Sequence, residues 1–135
     1  MDINKTLKDH FGYDQFRGRQ DEIIKHVMSG QNALVIMPTG MGKSLCYQIP
    51  ALLSEDLTLV ISPLIALMQD QVESLVTRNI EATFINSSLS GRERKNRYKQ
   101  VHDGQFKLLY VTPERFRKSE FLAALKKRTV SLLAI

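Results

Sequence analysis

The sequence lacks the features that mark secreted and membrane proteins. Its 135 residues include a single cysteine, Cys46, so neither an internal disulfide nor a multi-cysteine zinc site can form. The apolar runs at 33–37 and 57–61 are far shorter than the roughly 20 residues that span a bilayer. The N-terminus has charged residues where a secretory signal would have an apolar segment. These absences together predict an intracellular protein with no membrane segment.

The charge balance is positive, with a formal net charge of +5 at pH 7. A positive surplus favours a polyanion such as nucleic acid, which proteins bind largely through its phosphates. Many soluble proteins carry a similar surplus, so the charge alone does not identify the partner. The length allows one domain at most, since domains commonly run to about 100–150 residues.

Five apolar, β-prone runs alternate with segments of helical spacing. The runs lie at 33–37, 57–61, 82–85, 107–111 and 130–135. Most are continuous in apolar character, as expected of parallel strands buried on both faces. Helices are predicted at 5–11, 20–28, 44–53, 91–102 and 120–127, and from 65 to 76, where apolar residues recur at three and four positions. The pattern predicts an α/β domain with a mostly parallel sheet over 31–135, after a helical segment over 1–30.

Residues 38–44 read Pro-Thr-Gly-Met-Gly-Lys-Ser and lie between a predicted strand and a predicted helix, the setting of a phosphate-binding loop. Glycines let backbone N–H groups close on a phosphate, and the helix N-terminus adds donors and partial positive charge. Lys43 would reach the β- and γ-phosphates of ATP, and the Ser44 hydroxyl would hold Mg²⁺. The predicted nucleotide contacts of this loop are Thr39, Gly40, Met41, Gly42, Lys43 and Ser44. The strict pattern has a glycine where this chain has Met37, and a chance glycine turn is the weaker alternative.

A second group of candidate nucleotide contacts precedes the loop. The amide of Gln20 can donate to and accept from an adenine at once, which suits base recognition. Tyr13 could stack on the purine, and Arg17 could cover its other face or pair with a phosphate. On residue types alone, aromatic packing with solvated arginines explains this segment equally well.

Four blocks of the sequence resemble RecQ-family DNA helicases of superfamily 2. They are 11–20 (Phe-Gly-Tyr-Asp-Gln-Phe-Arg-Gly-Arg-Gln), 37–51 around the phosphate loop, 62–72 (Ser-Pro-Leu-Ile-Ala-Leu-Met-Gln-Asp-Gln-Val) and 109–116 (Leu-Tyr-Val-Thr-Pro-Glu-Arg-Phe). The blocks keep the family's order and cover the chain from about residue 7 to its end. Phe-Arg-x-x-Gln, with Leu-Cys-Tyr-Gln after the loop, separates RecQ proteins from other helicases.

The resemblance implies a RecA-like domain and an ATP-dependent 3′–5′ DNA helicase that acts in recombination and repair. It implies ATP and Mg²⁺ as cofactors, with Lys43 as the catalytic residue and Tyr13, Arg17 and Gln20 as the adenine motif. Gly18 and Arg19 stand where the family often has Pro-Gly. The implied partner is single-stranded and forked duplex DNA, in the bacterial cytoplasm and nucleoid or in a eukaryotic nucleus.

Two loops after predicted strands are candidate nucleic-acid contacts: Ser62, Pro63 and Leu64, and Thr112, Pro113 and Glu114. Loops at the carboxyl ends of parallel strands are where such sheets bind ligands, and the resemblance implies that both loops contact single-stranded DNA. Residue types alone favour helix caps, because serine or threonine followed by proline is a common helix start. The basic residues of 92–99 are predicted to form a solvated helix face.

The last run, at 130–135, resembles the strand that the family places directly before an Asp-Glu-Ala-His motif. We therefore expect a truncated sheet, without the acidic residues that hydrolysis needs and inactive by itself. A second RecA-like domain and a zinc site are expected only in a missing C-terminal part. Two alternatives remain open: a piece of a DEAD-box-like RNA helicase, and a non-catalytic nucleotide-binding module.

Overall fold

The computed structural model of the chain describes residues 2–38 and 42–135. The chain packs as two compact units, Met1–Ser54 and Glu55–Ile135. Within the described ranges, no helix combines the length and the apolar character needed to cross a membrane.

The first unit is built from helices. Its elements are α1 (Ile3–Thr6), which continues as a π-helical turn (Leu7–Phe11), α2 (Gln20–Met28) and α3 (Leu45–Leu53). Helix α2 packs against α3, and Leu7, Ile24 and Ile49 are completely buried. This packing holds the start of α2 close to the start of α3, where the predicted nucleotide contacts lie.

The second unit is a four-stranded parallel sheet with its connecting helices. In chain order its elements are β1 (Leu57–Ile61), α4 (Ile65–Thr77), β2 (Ala82–Ile85), α5 (Gly91–His102), β3 (Leu108–Val111), a 3-10 turn (Pro113–Arg117), α6 (Ser119–Lys126) and β4 (Val130–Ala134). The strand order is β2-β3-β1-β4, and every pair is parallel. Parallel neighbours need a long crossover, which the helices supply.

The core of the second unit lies between the sheet and helices α5 and α6. All of β3 is buried, and it is an inner strand of the sheet, between β2 and β1. Apolar side chains of the sheet, including Leu59 and Leu109, pack there with Tyr98 of α5 and Phe121 of α6. The Phe121 ring also meets Phe116 edge-on, with 5.3 Å between ring centroids. The core therefore fixes both helices against one face of the sheet.

The prediction of a strand at 33–37 is wrong. Leu34 and Ile36 are 91% and 89% exposed, and none of the described residues pairs with this run. A strand needs a neighbour to accept and donate its backbone hydrogen bonds. Apolar character gave this run the pattern of a buried strand, but no strand in the described part of the chain pairs with it.

The other predicted elements are confirmed with shifts of one or two residues at their ends. Strands form at 57–61, 82–85, 108–111 and 130–134. Among the residues that the structure describes, β4 pairs with β1 alone, and it exposes half of Leu133. Among the helices, α2 and α5 have the predicted bounds, and the π-helical turn closes the helix predicted at 5–11.

Candidate functional site

Gln20 joins the segment before the phosphate loop to the loop itself. Its side chain is 2% exposed. The amide oxygen accepts a hydrogen bond from the Arg17 backbone N–H at 2.7 Å, and the amide nitrogen donates to the carbonyl oxygen of Gly42 at 3.1 Å. Arg17 precedes Gln20 in the sequence and Gly42 follows it, so a single side chain connects the predicted base-binding segment with the predicted phosphate loop.

Gly42 is a position that only glycine fits. Its φ is +75°, a left-handed conformation that costs other residues energy. A Cβ on Gly42 would lie 2.3 Å from the Gln20 amide nitrogen. The second glycine of the motif is therefore needed both for backbone geometry and for the approach of Gln20.

Lys43 and Ser44 lead into α3, as the motif predicts. Lys43 is exposed and Ser44 is half-buried. The Ser44 carbonyl oxygen accepts the first helical hydrogen bonds, from Tyr47 at 3.2 Å and Gln48 at 2.9 Å. With the residues that the structure describes, its hydroxyl forms no capping hydrogen bond, so the oxygen is not used to close the helix. The predicted contacts Thr39, Gly40 and Met41 lie outside the described residues.

Tyr13 and Arg17, the other two members of the predicted adenine motif, lie at the surface. The Tyr13 side chain is 53% exposed, and Arg17 is exposed while its backbone N–H is held by Gln20. An exposed ring and an exposed guanidinium can each cover a face of a planar base. The structure thus places one buried and two accessible members of the motif within the same unit.

Cys46 lies within α3, in the interior of the first unit. It is a free, buried thiol, and burial raises its pKa. The thiolate, not the thiol, is the nucleophile. Cys46 is therefore a packing residue without the thiolate character of a reactive cysteine.

The two predicted nucleic-acid loops lie side by side in the second unit. The Ser62 backbone N–H, directly after β1, donates to the carbonyl oxygen of Val111 at the end of β3, at 3.0 Å. The Ser62 hydroxyl accepts a hydrogen bond from the Leu64 N–H at 3.2 Å, and Pro63 and Leu64 are exposed. Adjacent loops at the carboxyl edge give one continuous surface, although the Ser62 hydroxyl already serves its own turn.

Thr112 and Glu114 form a local pair after β3. Thr112 is buried, and its hydroxyl donates to the Glu114 carboxylate at 2.5 Å. This hydrogen bond is the main cause of a lowered pKa for Glu114, which therefore stays ionised. A carboxylate repels phosphate, so in this loop Pro113 and the backbone are better placed than Glu114 to contact a nucleic-acid strand.

The basic run of α5 is not simply a solvated face. The Arg97 guanidinium donates to the Phe84 carbonyl oxygen at 2.6 Å and lies 4.6 Å above the centroid of the Phe84 ring. Burial lowers the pKa of Arg97. Arg94 donates to the Leu89 carbonyl oxygen, whereas Arg92 and Lys99 are exposed. The prediction of a solvated helix face is confirmed for Arg92 and Lys99 and is wrong for Arg97. A basic run in the sequence does not show which side chains turn inward.

Arg115 and Lys118 are charged residues whose positions the sequence did not reveal. Arg115 is only 5% exposed, and its guanidinium donates to the Tyr98 hydroxyl at 3.3 Å. Lys118 is exposed at the start of α6. The sequence carries no spacing signal for this pairing, since Tyr98 lies 17 positions away on another helix. Within the described ranges, no three His, Cys, Asp or Glu side chains come close enough to hold a metal ion.

Comparison with protein families gives a match over most of the chain. Residues 17–135 match the family described as DEAD/DEAH box helicase. The chain is 50% identical over 130 residues to the ATP-dependent DNA helicase RecQ of Haemophilus influenzae, covering 96% of this chain and 21% of that protein. It is also 50% identical to the RecQ helicase of Bacillus subtilis, of which it covers 22%. The resemblance to RecQ helicases is confirmed, and the chain spans about a fifth of these relatives.

Solved structures of helicases share the fold. A hypothetical ATP-dependent RNA helicase from Sulfolobus tokodaii superposes with a TM-score of 0.70 at 19% identity, over 90% of this chain and 37% of that chain. The DUF1998 helicase MrfA superposes with a TM-score of 0.72 at 20% identity, over 98% of this chain and 20% of its own. The predicted α/β fold of RecA-like helicase domains is confirmed.

Proposed function

This chain belongs to the DEAD/DEAH box helicase family, and on that premise we propose that it is the nucleotide-binding part of a RecQ-type ATP-dependent DNA helicase. The proposed whole protein separates DNA strands in the 3′–5′ direction, on single-stranded and forked duplex DNA, in recombination and repair. Identity of 50% to RecQ helicases from two bacteria supports this choice over an RNA helicase. The proposed setting is the interior of the cell, where its DNA lies.

The hydrogen bond from Gln20 to Gly42 is the observation that carries the proposal. A base site and a phosphate site can serve one nucleotide only if they lie close together in the fold. Gln20 belongs to the adenine motif, and its amide donates a hydrogen bond to the backbone of the phosphate loop. We therefore assign Tyr13, Arg17 and Gln20 to the base, and Thr39, Gly40, Met41, Gly42, Lys43 and Ser44 to the phosphates.

The residues that follow Gly42 fit a triphosphate and its metal ion. The start of α3 supplies backbone N–H donors and the partial positive charge of a helix N-terminus. Lys43 is exposed, so its ammonium group can reach a ligand. The Ser44 hydroxyl makes no capping hydrogen bond with the described residues. Lys43 would neutralise the outer phosphates, and Ser44 would ligate Mg²⁺. Hydrolysis of ATP by the whole protein would supply the free energy for strand separation.

The proposed DNA contacts lie in the two loops at the carboxyl edge of the sheet, one formed by Ser62, Pro63 and Leu64 and the other by Thr112, Pro113 and Glu114. Their support is the hydrogen bond between Ser62 and Val111, which sets the loops beside each other. Backbone groups and hydroxyls at such edges commonly bind nucleic-acid phosphates. Glu114 would orient Thr112 and the turn and would not touch the strand.

Equilibrium binding of fluorescent ATP to the 135-residue chain tests the nucleotide site. Lys43→Ala removes a charge-assisted hydrogen bond, whose loss costs about 1.5–3 kcal/mol, so we expect ATP affinity to fall by roughly 10- to 100-fold. Lys25→Ala is the matched control, because Lys25 is an exposed lysine of α2 in the same unit. Equal affinity of the two variants would contradict the assignment of Lys43.

Binding of RNA in preference to DNA of the same sequence would favour an RNA helicase.

A further inference from the structure

A shallow groove of about 480 Å³ runs between α5 and α6 in the second unit. Helix α5 lines it with Lys95, Tyr98, Lys99 and His102. Helix α6 lines it with Glu120, Ala123, Ala124 and Lys127. On both helices the lining residues follow the first at three, four and seven positions, so each helix turns one face to the groove. Seven residues of helix rise about 10 Å, so this α5–α6 groove follows both helices for about two turns.

The α5–α6 groove is held in shape from beneath. The Tyr98 ring lies 6.2 Å from the Phe121 ring, centroid to centroid, and this contact joins the two helices. The Tyr98 hydroxyl accepts a hydrogen bond from Arg115 at 3.3 Å. Tyr98, Phe121 and Ala124 all belong to the hydrophobic core against the sheet. A surface that is already ordered loses little conformational freedom when a partner binds, which favours affinity.

The groove combines an apolar floor with a basic rim. Its floor includes the methyl groups of Ala123 and Ala124, and side chains this small let a partner helix approach closely. The rim carries Lys95 and Lys99 on the α5 side and Lys127 on the α6 side, all exposed. In the described part of the chain, none of the three lysines forms a salt bridge. Their charges are therefore available to carboxylates of a partner.

An acidic helix fits this groove better than a nucleic-acid strand does. Proteins hold nucleic-acid phosphates with arginine and lysine side chains, backbone N–H groups and helix N-termini. None of the described lining residues is arginine, and the Glu120 carboxylate stands at the first turn of α6, where it repels a phosphate. On α5 the lining begins in the second turn, where backbone N–H groups are bonded within the helix.

We propose that the α5–α6 groove docks an acidic amphipathic helix of a protein partner. The apolar face of that helix packs on Ala123 and Ala124, and its flanking carboxylates pair with Lys95, Lys99 and Lys127. This is recognition of a helix in a groove, with the charges selecting the partner. The site goes beyond the proposed function, because it uses no residue of the nucleotide site or of the strand-end loops.

Fluorescence anisotropy of a labelled peptide on the 135-residue chain measures the docking. The probe is a designed helix of about 18 residues, long enough to form in water, with alanine and leucine on one face and glutamate along both flanks of that face. The control peptide has the same composition, with glutamates spread around the helix. We expect the probe to bind at least about tenfold more tightly than the control. Added salt should weaken its binding, because exposed charge pairs are screened.

Charge-matched variants separate the groove from the general positive charge of the chain. Lys99→Gln/Lys127→Gln removes two lining charges, whereas Lys118→Gln/Lys126→Gln removes two exposed lysine charges that do not line the groove. An exposed ion pair contributes about 0.2–1 kcal/mol. We therefore expect the first pair to weaken probe binding about five- to tenfold, and the second to change it less than about twofold.

Ala123→Arg opposes the two explanations of binding. The arginine adds a positive charge, which by itself would tighten binding of an acidic peptide, but it also fills the floor of the groove and blocks a docked helix. We expect probe affinity to fall. Leu122→Arg is the matched control, because it adds the same charge at an exposed neighbouring position of α6 that does not line the groove. Urea denaturation checks that both variants remain folded.

The outcomes decide the proposal. Preference for the probe over the control peptide, together with weaker binding in Lys99→Gln/Lys127→Gln and in Ala123→Arg, supports it. Equal binding of the two peptides, or tighter binding in Ala123→Arg, overturns it and leaves only unspecific charge attraction. If single-stranded oligodeoxythymidine displaces the probe and loses affinity in the Lys99→Gln/Lys127→Gln variant, the groove binds nucleic acid and the proposal is likewise overturned. No nucleotide is added, so failure of the ATP site would not affect the result.

Discussion

Replacing Gln20 with leucine tests the link between the two parts of the proposed nucleotide site. Leucine keeps most of the buried volume but can neither accept from the Arg17 N–H nor donate to the Gly42 carbonyl oxygen. Each lost hydrogen bond costs about 1 kcal/mol net. Gly42 retains one partner, since its carbonyl oxygen also accepts from the Leu45 N–H at 3.3 Å. We therefore expect a loss of about 2 kcal/mol in the free energy of unfolding.

Urea denaturation followed by far-ultraviolet circular dichroism measures this loss. Small proteins lose about 1–3 kcal/mol of stability per molar urea, so the midpoint should fall by about 1 M. Gln15→Leu is the matched control, because Gln15 is exposed in the same segment, and exposed substitutions usually stay within about 0.5 kcal/mol. Equal midpoints for the two variants would refute the reasoning.

Gln20→Glu adds a test by pH. A carboxylate at this position cannot donate to the Gly42 carbonyl oxygen, whereas the protonated acid can. Burial should raise the pKa of the introduced carboxyl in the folded state, so the variant should be less destabilised at acid pH than at neutral pH. A pH-independent difference from the parent chain would mean that the carboxyl is not held against Gly42.

Two further predictions concern the second unit. Arg97→Met should lower the free energy of unfolding by about 2 kcal/mol, because it removes a charged hydrogen bond and a cation–π contact. Urea denaturation measures this loss, with Lys99→Met as an exposed control on the same helix. The prediction would be contradicted if both variants were as stable as the parent. Thr112→Val should raise the pKa of Glu114 towards its ordinary value, as measured by NMR titration of the carboxyl carbon, because it removes the main cause of the lowered pKa. Because the folded structure lowers the pKa of Glu114, its ionised carboxylate stabilises the folded chain above about pH 4.3, and this stabilisation is lost as the pH falls through the folded pKa. Glu114→Gln should therefore match the parent in stability in strong acid and be less stable than the parent at neutral pH.

Elements with a strong local signal were predictable from the sequence. The helix at 91–102 has serine and glutamate in capping-box positions, and the structure forms both reciprocal hydrogen bonds. Helix α4 follows from apolar residues at three- and four-residue spacing, and Met68, Val72 and Leu75 are its buried side. In both cases the information lies within one or two turns of chain.

Features that depend on distant partners were not predictable. The run at 33–37 has the composition of a strand, but strand formation is decided by a neighbour elsewhere in the chain. The hydrogen bond from Gln20 to Gly42 spans 22 positions. The sequence indicated only that the glutamine amide can donate and accept hydrogen bonds. Likewise, Arg115 carries no mark of burial in its immediate sequence, because α5 covers it from another part of the chain.

The internal engagement of Gln20 has a consequence for how a base would be chosen. The two internal hydrogen bonds fix the orientation of the amide, because they determine which side presents its oxygen and which its nitrogen. A primary amide has two donors and an oxygen with two lone pairs, so such internal bonds are compatible with bonds to a base. Under the proposed role, the orientation of Gln20 would be set before a nucleotide binds. A base whose donors and acceptors do not match that orientation would leave polar groups unpaired, at a cost of about 1–3 kcal/mol for each buried group.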